Sequence, residues 1–104
     1  MHVAVVGAGV IGCAIAHELA SRGARVTVLE RRGVGRGASW ASAGVLAPWI
    51  EAHERGPLLD MCAASLALYD AFVERVRADG GAPFEYARPG TLESAFTPAQ
   101  AEAL

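Results

Sequence analysis

Four consecutive apolar residues, Val3-Ala4-Val5-Val6, stand almost at the start of the chain. An unbroken apolar run with β-branched members fits a parallel strand buried on both faces, since a half-exposed strand would alternate with polar residues. From Val10 to Ala20 the spacing changes. Ile11, Ala14, Ile15 and Leu19 recur at three- and four-residue steps, His17, Glu18 and Arg22 fall toward water, and Gly23 stands where a helix C-terminus needs it. Arg25-Val26-Thr27-Val28-Leu29-Glu30 is the next strand, apolar up to a carboxylate at its end. Strand, helix and strand within about thirty residues is the size of one βαβ unit.

The pattern is weaker beyond Glu30. Arg31 to Ser39 holds too much glycine for a strand or helix interior and reads as a loop. Trp40 to Trp49 is small and apolar, suited either to a buried turn or to backbone lying against a flat partner. Gly56-Pro57 opens a second long helix whose packing stripe is Leu59, Cys62, Leu66, Tyr69, Val73 and Val76, ending at Asp79-Gly80-Gly81. Phe84-Glu85-Tyr86 and Thr91 to Phe96 read as two short strands around the turn Arg88-Pro89-Gly90, a candidate hairpin. Thr97-Pro98-Ala99-Gln100 carries a capping hydroxyl, a proline at the first helical position and an amide three residues after the cap, so it begins a helix. A helix starting so near Leu104, with only two parallel strands before it, sets the expectation of an amino-terminal piece of a longer protein.

Composition narrows the function classes. All nine basic residues are Arg, scattered from Arg22 to Arg88, and the net charge is −2, so no cationic face for nucleic acid can be built. Cys13 and Cys62 are far apart and lack metal-ligand spacing, which argues against zinc and a disulfide framework and makes a reduced, cytoplasmic location the expectation. No apolar run approaches the ~20 residues that span a bilayer. The apolar start also lacks the basic region of a secretory signal.

The chemistry is concentrated in Gly7-Ala8-Gly9-Val10-Ile11-Gly12. Gly7 allows a tight turn out of the strand, Gly9 lets backbone approach a pyrophosphate, and Gly12 lets helix and strand pack closely. The helix that follows offers unpaired N–H groups and roughly half a positive charge to an anion. Three glycines alone are a weak signal. Here a strand precedes them, a helix follows, and Glu30 lies eighteen residues beyond Gly12 at the end of the next strand, where a carboxylate accepts hydrogen bonds from an adenosine ribose. Glu30 also disfavours a ribose 2′-phosphate. The fingerprint by itself does not separate NAD from FAD.

The stretch Val34-Gly35-Arg36-Gly37-Ala38-Ser39-Trp40-Ala41-Ser42-Ala43-Gly44-Val45-Leu46-Ala47-Pro48 does separate them, because it resembles the FAD-dependent D-amino acid oxidase superfamily, most of all the glycine oxidases associated with thiamine biosynthesis. Glu30-Arg31, Ala64 to Tyr69 and Gly90-Thr91-Leu92 extend the resemblance over nearly the whole chain. It implies an α/β fold with a Rossmann-like FAD-binding βαβ unit, residues 1–80 forming the amino-terminal part of the FAD domain and 81–104 starting a strand-bearing substrate region. By position it implies that Val10 and Ile11 lie against the pyrophosphate, that Glu30 and Arg31 hold the adenosine end, and that Ala38 and Ser39 contact the cofactor farther along. Ala43, Gly44 and Val45 would run beside the isoalloxazine ring, Val45 replacing a methionine common in such enzymes.

The resemblance further implies oxidation of glycine or another small amine or amino acid, with oxygen as acceptor giving hydrogen peroxide. Its substrate-binding Arg and Tyr groups lie beyond Leu104, so no catalytic residue is named. Glu51, His53 and Glu54 follow the flavin loop closely enough to border a substrate entrance, though a charged surface loop explains them equally simply. Sarcosine oxidase, D-amino acid dehydrogenase and a non-catalytic nucleotide-binding remnant remain open alternatives, as does oligomerisation of the full-length protein.

Overall fold

A computed structural model describes residues 1–51, 54–80 and 82–103. His53 and Gly81 lie outside the described residues. The chain forms two compact units, Met1–Val45 and Leu46–Leu104.

In the first unit, β1 (His2–Val6) leads into α1 (Val10–Ser21) and then β2 (Arg25–Leu29). The strands pair in parallel, His2 opposite Arg25 and Val6 opposite Leu29, and the Gly7 N–H donates to the Leu29 carbonyl at 2.8 Å, so the ladder runs directly into the glycine turn. Gly23 follows α1 with φ +81°, and the Ala24 N–H returns to the Leu19 carbonyl at 3.0 Å. The βαβ unit is therefore present over the expected residues.

The strands are less covered than a continuous apolar run leads one to expect. Only Val3, Val5 and Val26 are half-buried along the two strands, while Val6 and Leu29 are 84% and 53% exposed. Burying a parallel sheet on both faces takes helices on both sides, and among the described residues the helix that packs closely on β1 and β2 is α1. Ile11 and Ile15 on α1 are likewise exposed, whereas Ala14 and Leu19 are half-buried. The most buried residue of the unit is Ala8, in the turn itself.

After β2 the chain forms a glycine-rich loop and one short turn of helix, α2 (Ala38–Ala41). Residues 42–47 then run without regular structure and are largely exposed, which corrects the buried-turn reading of this stretch.

The second unit holds α3 (Pro48–Glu51), α4 (Pro57–Ala67), α5 (Tyr69–Gly80) and α6 (Pro98–Ala103). The expected single long helix is two, because the Leu68 N–H reaches the Ser65 carbonyl three residues back, at 3.0 Å, and tightens the turn. The packing stripe is as the spacing predicts: Leu59, Cys62, Leu66, Tyr69 and Val76 are half-buried and Val73 is buried.

The expected hairpin is a correction. No strand occurs among the described residues from Phe84 to Phe96, where two short strands were expected. An isolated two-stranded hairpin is at best marginally stable, and side-chain bonds to α5 take its place. Asp70 accepts from the Tyr86 hydroxyl at 2.8 Å and from Arg88 at 2.7 Å, and Arg77 donates to the Phe84 carbonyl at 3.1 Å. At α6 the reciprocal cap forms: Thr97 Oγ1 accepts the Gln100 N–H at 3.2 Å, and Gln100 Oε1 accepts the N–H groups of Phe96 and Thr97.

Candidate nucleotide-binding site

The turn between β1 and α1 is shaped by its glycines in different ways. Gly7 has φ +100°, a conformation that a side chain disfavours. A Cβ on Gly12 would lie 2.0 Å from the Gly7 carbonyl oxygen, so only glycine allows α1 to approach the turn this closely. Gly9 faces the open side, where a Cβ would come within 3.2 Å of Ser39 Oγ.

Ala8, 2% exposed, is where the turn is fastened to the chain beyond β2. Its N–H donates to Glu30 Oε2 at 2.9 Å, and its carbonyl accepts the Gly35 N–H at 2.7 Å and the Cys13 thiol at 3.6 Å. Glu30 Oε1 accepts the Arg32 N–H at 2.8 Å. The Ala8 bond first, and the Arg32 bond second, hold the Glu30 carboxyl below its ordinary pKa, because both favour the charged form. One residue past the turn, the Val10 N–H donates to Ser39 Oγ at 2.8 Å. Gly9, the N-cap of α1, has no side chain to cap it, and Ser39 supplies an acceptor from twenty-nine residues away.

Beside these bonds lies an open cleft of about 560 Å³. Gly9, Val10 and Ile11 line it from the start of α1, and Glu30, Arg31, Arg32, Arg36, Gly37, Ala38, Ser39 and Ser42 line it from the segment after β2. Seven of the residues singled out from sequence thus meet in one place: Gly9, Val10, Ile11, Glu30, Arg31, Ala38 and Ser39. Gly7 lines a smaller neighbouring hollow with Glu30 and Arg31, and Gly12 packs behind the turn. Ala43, Gly44 and Val45 are exposed and do not line the cleft. Arg32, Arg36, Gly37 and Ser42 also line the cleft, although sequence spacing assigned them no place among the cofactor-binding residues. For Arg36 a signal existed, since it stands four residues before Trp40 and its guanidinium carbon lies 4.3 Å from that ring's centroid.

The donor set fits a dinucleotide. A helix N-terminus at Gly9, whose Val10 N–H is met by the distant Ser39 hydroxyl, and three arginines suit a pyrophosphate, while the carboxylate at the end of β2 suits a ribose. Among the described residues no His, Cys, Asp or Glu group could hold a metal ion, and no helix is long and apolar enough to cross a membrane.

Fold and cleft together define a nucleotide-binding βαβ unit of the dinucleotide type. The profile of the FAD dependent oxidoreductase family matches residues 2–104, and the chain belongs to that family. It is 39% identical over 102 residues to a glycine oxidase of Geobacillus kaustophilus, covering 98% of this chain and 27% of the relative. It is 42% identical over 96 residues to the bifunctional protein ThiO/ThiG of Synechocystis, covering 90% of this chain and 14% of that protein. A tRNA 5-methylaminomethyl-2-thiouridine biosynthesis bifunctional protein MnmC of Maricaulis maris is 38% identical over 87 residues, covering 84% and 14%. The chain therefore spans about a quarter or less of the length of these relatives. No solved structure matches it at a significant level.

Proposed function

We propose that this chain supplies the adenosine-diphosphate half of an FAD site in an enzyme that oxidises the C–N bond of glycine or another small amino acid or amine, with oxygen as acceptor and hydrogen peroxide as product. The observation that carries the reading is the joining of the glycine turn to the segment after β2 through Ala8, Glu30 and Ser39, because it builds a phosphate-accepting helix end and a ribose-accepting carboxylate into one cleft. Family membership supports the cofactor. The name of the Geobacillus relative, a glycine oxidase, supports an amino acid substrate.

In this reading Gly9, Val10 and Ile11 present backbone to the pyrophosphate, Gly7 and Gly12 set the turn, and Glu30 with Arg31 holds the adenosine end. Ala38 and Ser39 continue the contact from the opposite wall. Ala43, Gly44 and Val45, which follow directly on Ser42, run beside the isoalloxazine ring. Bound FAD supplies the two-electron acceptor, and the role of this chain is to bind and orient it. Residues 1–80 belong to the cofactor domain and 81–104 lead into the substrate region.

The test is oxygen consumption by the full-length protein with glycine, sarcosine and a set of D-amino acids, with peroxide measured in parallel. Turnover of glycine or another small amine with matching peroxide is the expected result. A flavin-loaded protein that reduces an artificial acceptor with these amines but consumes no oxygen is a dehydrogenase, and one that oxidises none of them overturns the substrate assignment.

A further inference from the structure

Three arginines line the cleft, Arg31, Arg32 and Arg36. Arg31 and Arg32 adjoin Glu30 at the end of β2. Arg36 stands apart, and three observations fix it in place. The residue before it, Gly35, donates its N–H to the Ala8 carbonyl at 2.7 Å. Three residues after it, Ser39 Oγ accepts the Val10 N–H at 2.8 Å. Its guanidinium carbon lies 4.3 Å from the centroid of the Trp40 ring.

The segment carrying Arg36 is thus fastened to the glycine turn on both sides, and the side chain itself leans on an indole. A guanidinium over an aromatic ring keeps its N–H donors at its edge, available to a ligand. Among the described residues Arg36 has no carboxylate partner, so its charge is not already spent on an ion pair.

The charge balance of the cleft leaves room for such a group beside Arg31 and Arg32, which adjoin Glu30 at the end of β2. A pyrophosphate diester carries roughly two negative charges, whereas a helix N-terminus contributes only about half a positive one. Glu30, ionised in the same cleft, adds a further negative charge.

We propose that Arg36 is a phosphate anchor of this site: its edge N–H groups bind a non-bridging oxygen of a dinucleotide pyrophosphate, and Trp40 orients the guanidinium for that contact. This rests on the reading of the cleft as an FAD site. It adds a positioning pair that the glycine fingerprint does not contain.

The experiment is titration of full-length apoprotein with FAD, followed by flavin fluorescence, with ADP and adenosine as competitors, for the wild type and for Arg36→Ala, Arg36→Lys and Trp40→Leu. Circular dichroism checks folding, and Arg36→Gln stands in should Arg36→Ala fail to fold. Arg36→Ala is expected to weaken both FAD and ADP by about tenfold or more while leaving adenosine unchanged, since a charge-assisted bond to phosphate is lost. Arg36→Lys restores part of that loss because an ammonium keeps the charge without the planar fork, and Trp40→Leu shows a smaller loss. Unchanged FAD and ADP affinity in folded Arg36→Ala overturns the proposal, and so does an equal loss for adenosine. Absence of FAD binding by the wild type instead overturns the reading of the cleft.

Discussion

Glu30 accepts the backbone N–H of Ala8 at 2.9 Å, across twenty-two residues of sequence. A carboxylate expected only to meet a ribose is therefore also the strut that holds the phosphate turn to the end of β2. The same side chain takes the Arg32 N–H at 2.8 Å, so it orders the loop that forms the far wall of the cleft.

This strut has a defined pH dependence. The folded carboxyl titrates below its ordinary value of 4.5, because the ionised form accepts the Ala8 and Arg32 N–H groups. Its stabilising contribution is complete above that ordinary value and is lost as pH falls through the folded pKa. Thermal unfolding of wild type and Glu30→Gln as a function of pH should show a constant gap near neutrality that closes below about pH 4.5. A gap that persists unchanged into stronger acid contradicts the assignment.

Gly12 tests the close approach of α1 to the turn. A Cβ there would sit 2.0 Å from the backbone oxygen of Gly7, which cannot rotate away, whereas a Cβ on Gly37 would meet nothing within 4 Å. Gly12→Ala should lose about 1–3 kcal/mol or more in denaturant unfolding, the scale of overpacking. Gly37→Ala should stay within about 0.5 kcal/mol, as surface substitutions do.

Ser39→Ala removes the acceptor for the Val10 N–H. That bond is exposed, so water can replace the hydroxyl, and the expected loss of stability is about 0.5–1 kcal/mol. A loss several times larger in the same unfolding experiment would show that Ser39 holds the cleft together by more than this contact.

In the second unit, Asp70 should control the phenol of Tyr86. Its hydrogen bond from the Tyr86 hydroxyl raises the phenol above its ordinary value of 10.0, and the same bond, with that from Arg88, lowers Asp70. Ultraviolet titration in a Tyr69→Phe background should find Tyr86 titrating at lower pH in Asp70→Asn than with Asp70 intact. No displacement would mean that the contact does not persist in solution.

The first thirty residues were legible because local signals agreed there. An apolar strand, glycines at fingerprint spacing, a helical stripe and a second strand all describe one unit, and the parallel register follows from it. The stripe from Leu59 to Val76 was legible for the same reason, although its break at Leu68 was not, since neither glycine nor proline marks it. Phe84 to Phe96 misled because strand propensity is a statement about neighbours, and its first half, through Phe84, Tyr86 and Arg88, met α5 rather than a strand partner. In the cleft, glycines and Glu30 announced themselves by spacing. Arg32, Arg36, Gly37 and Ser42 did not, because their place depends on how the loop folds back onto Ala8.

The flavin content of the full-length protein tests the central claim most directly. Purified wild type should be yellow and release about one FAD per chain on denaturation, while folded Gly9→Val, whose side chain grows into the gap before Ser39 Oγ, should retain markedly less. A correctly folded wild type that is colourless, takes up no added FAD and binds NAD instead would contradict it.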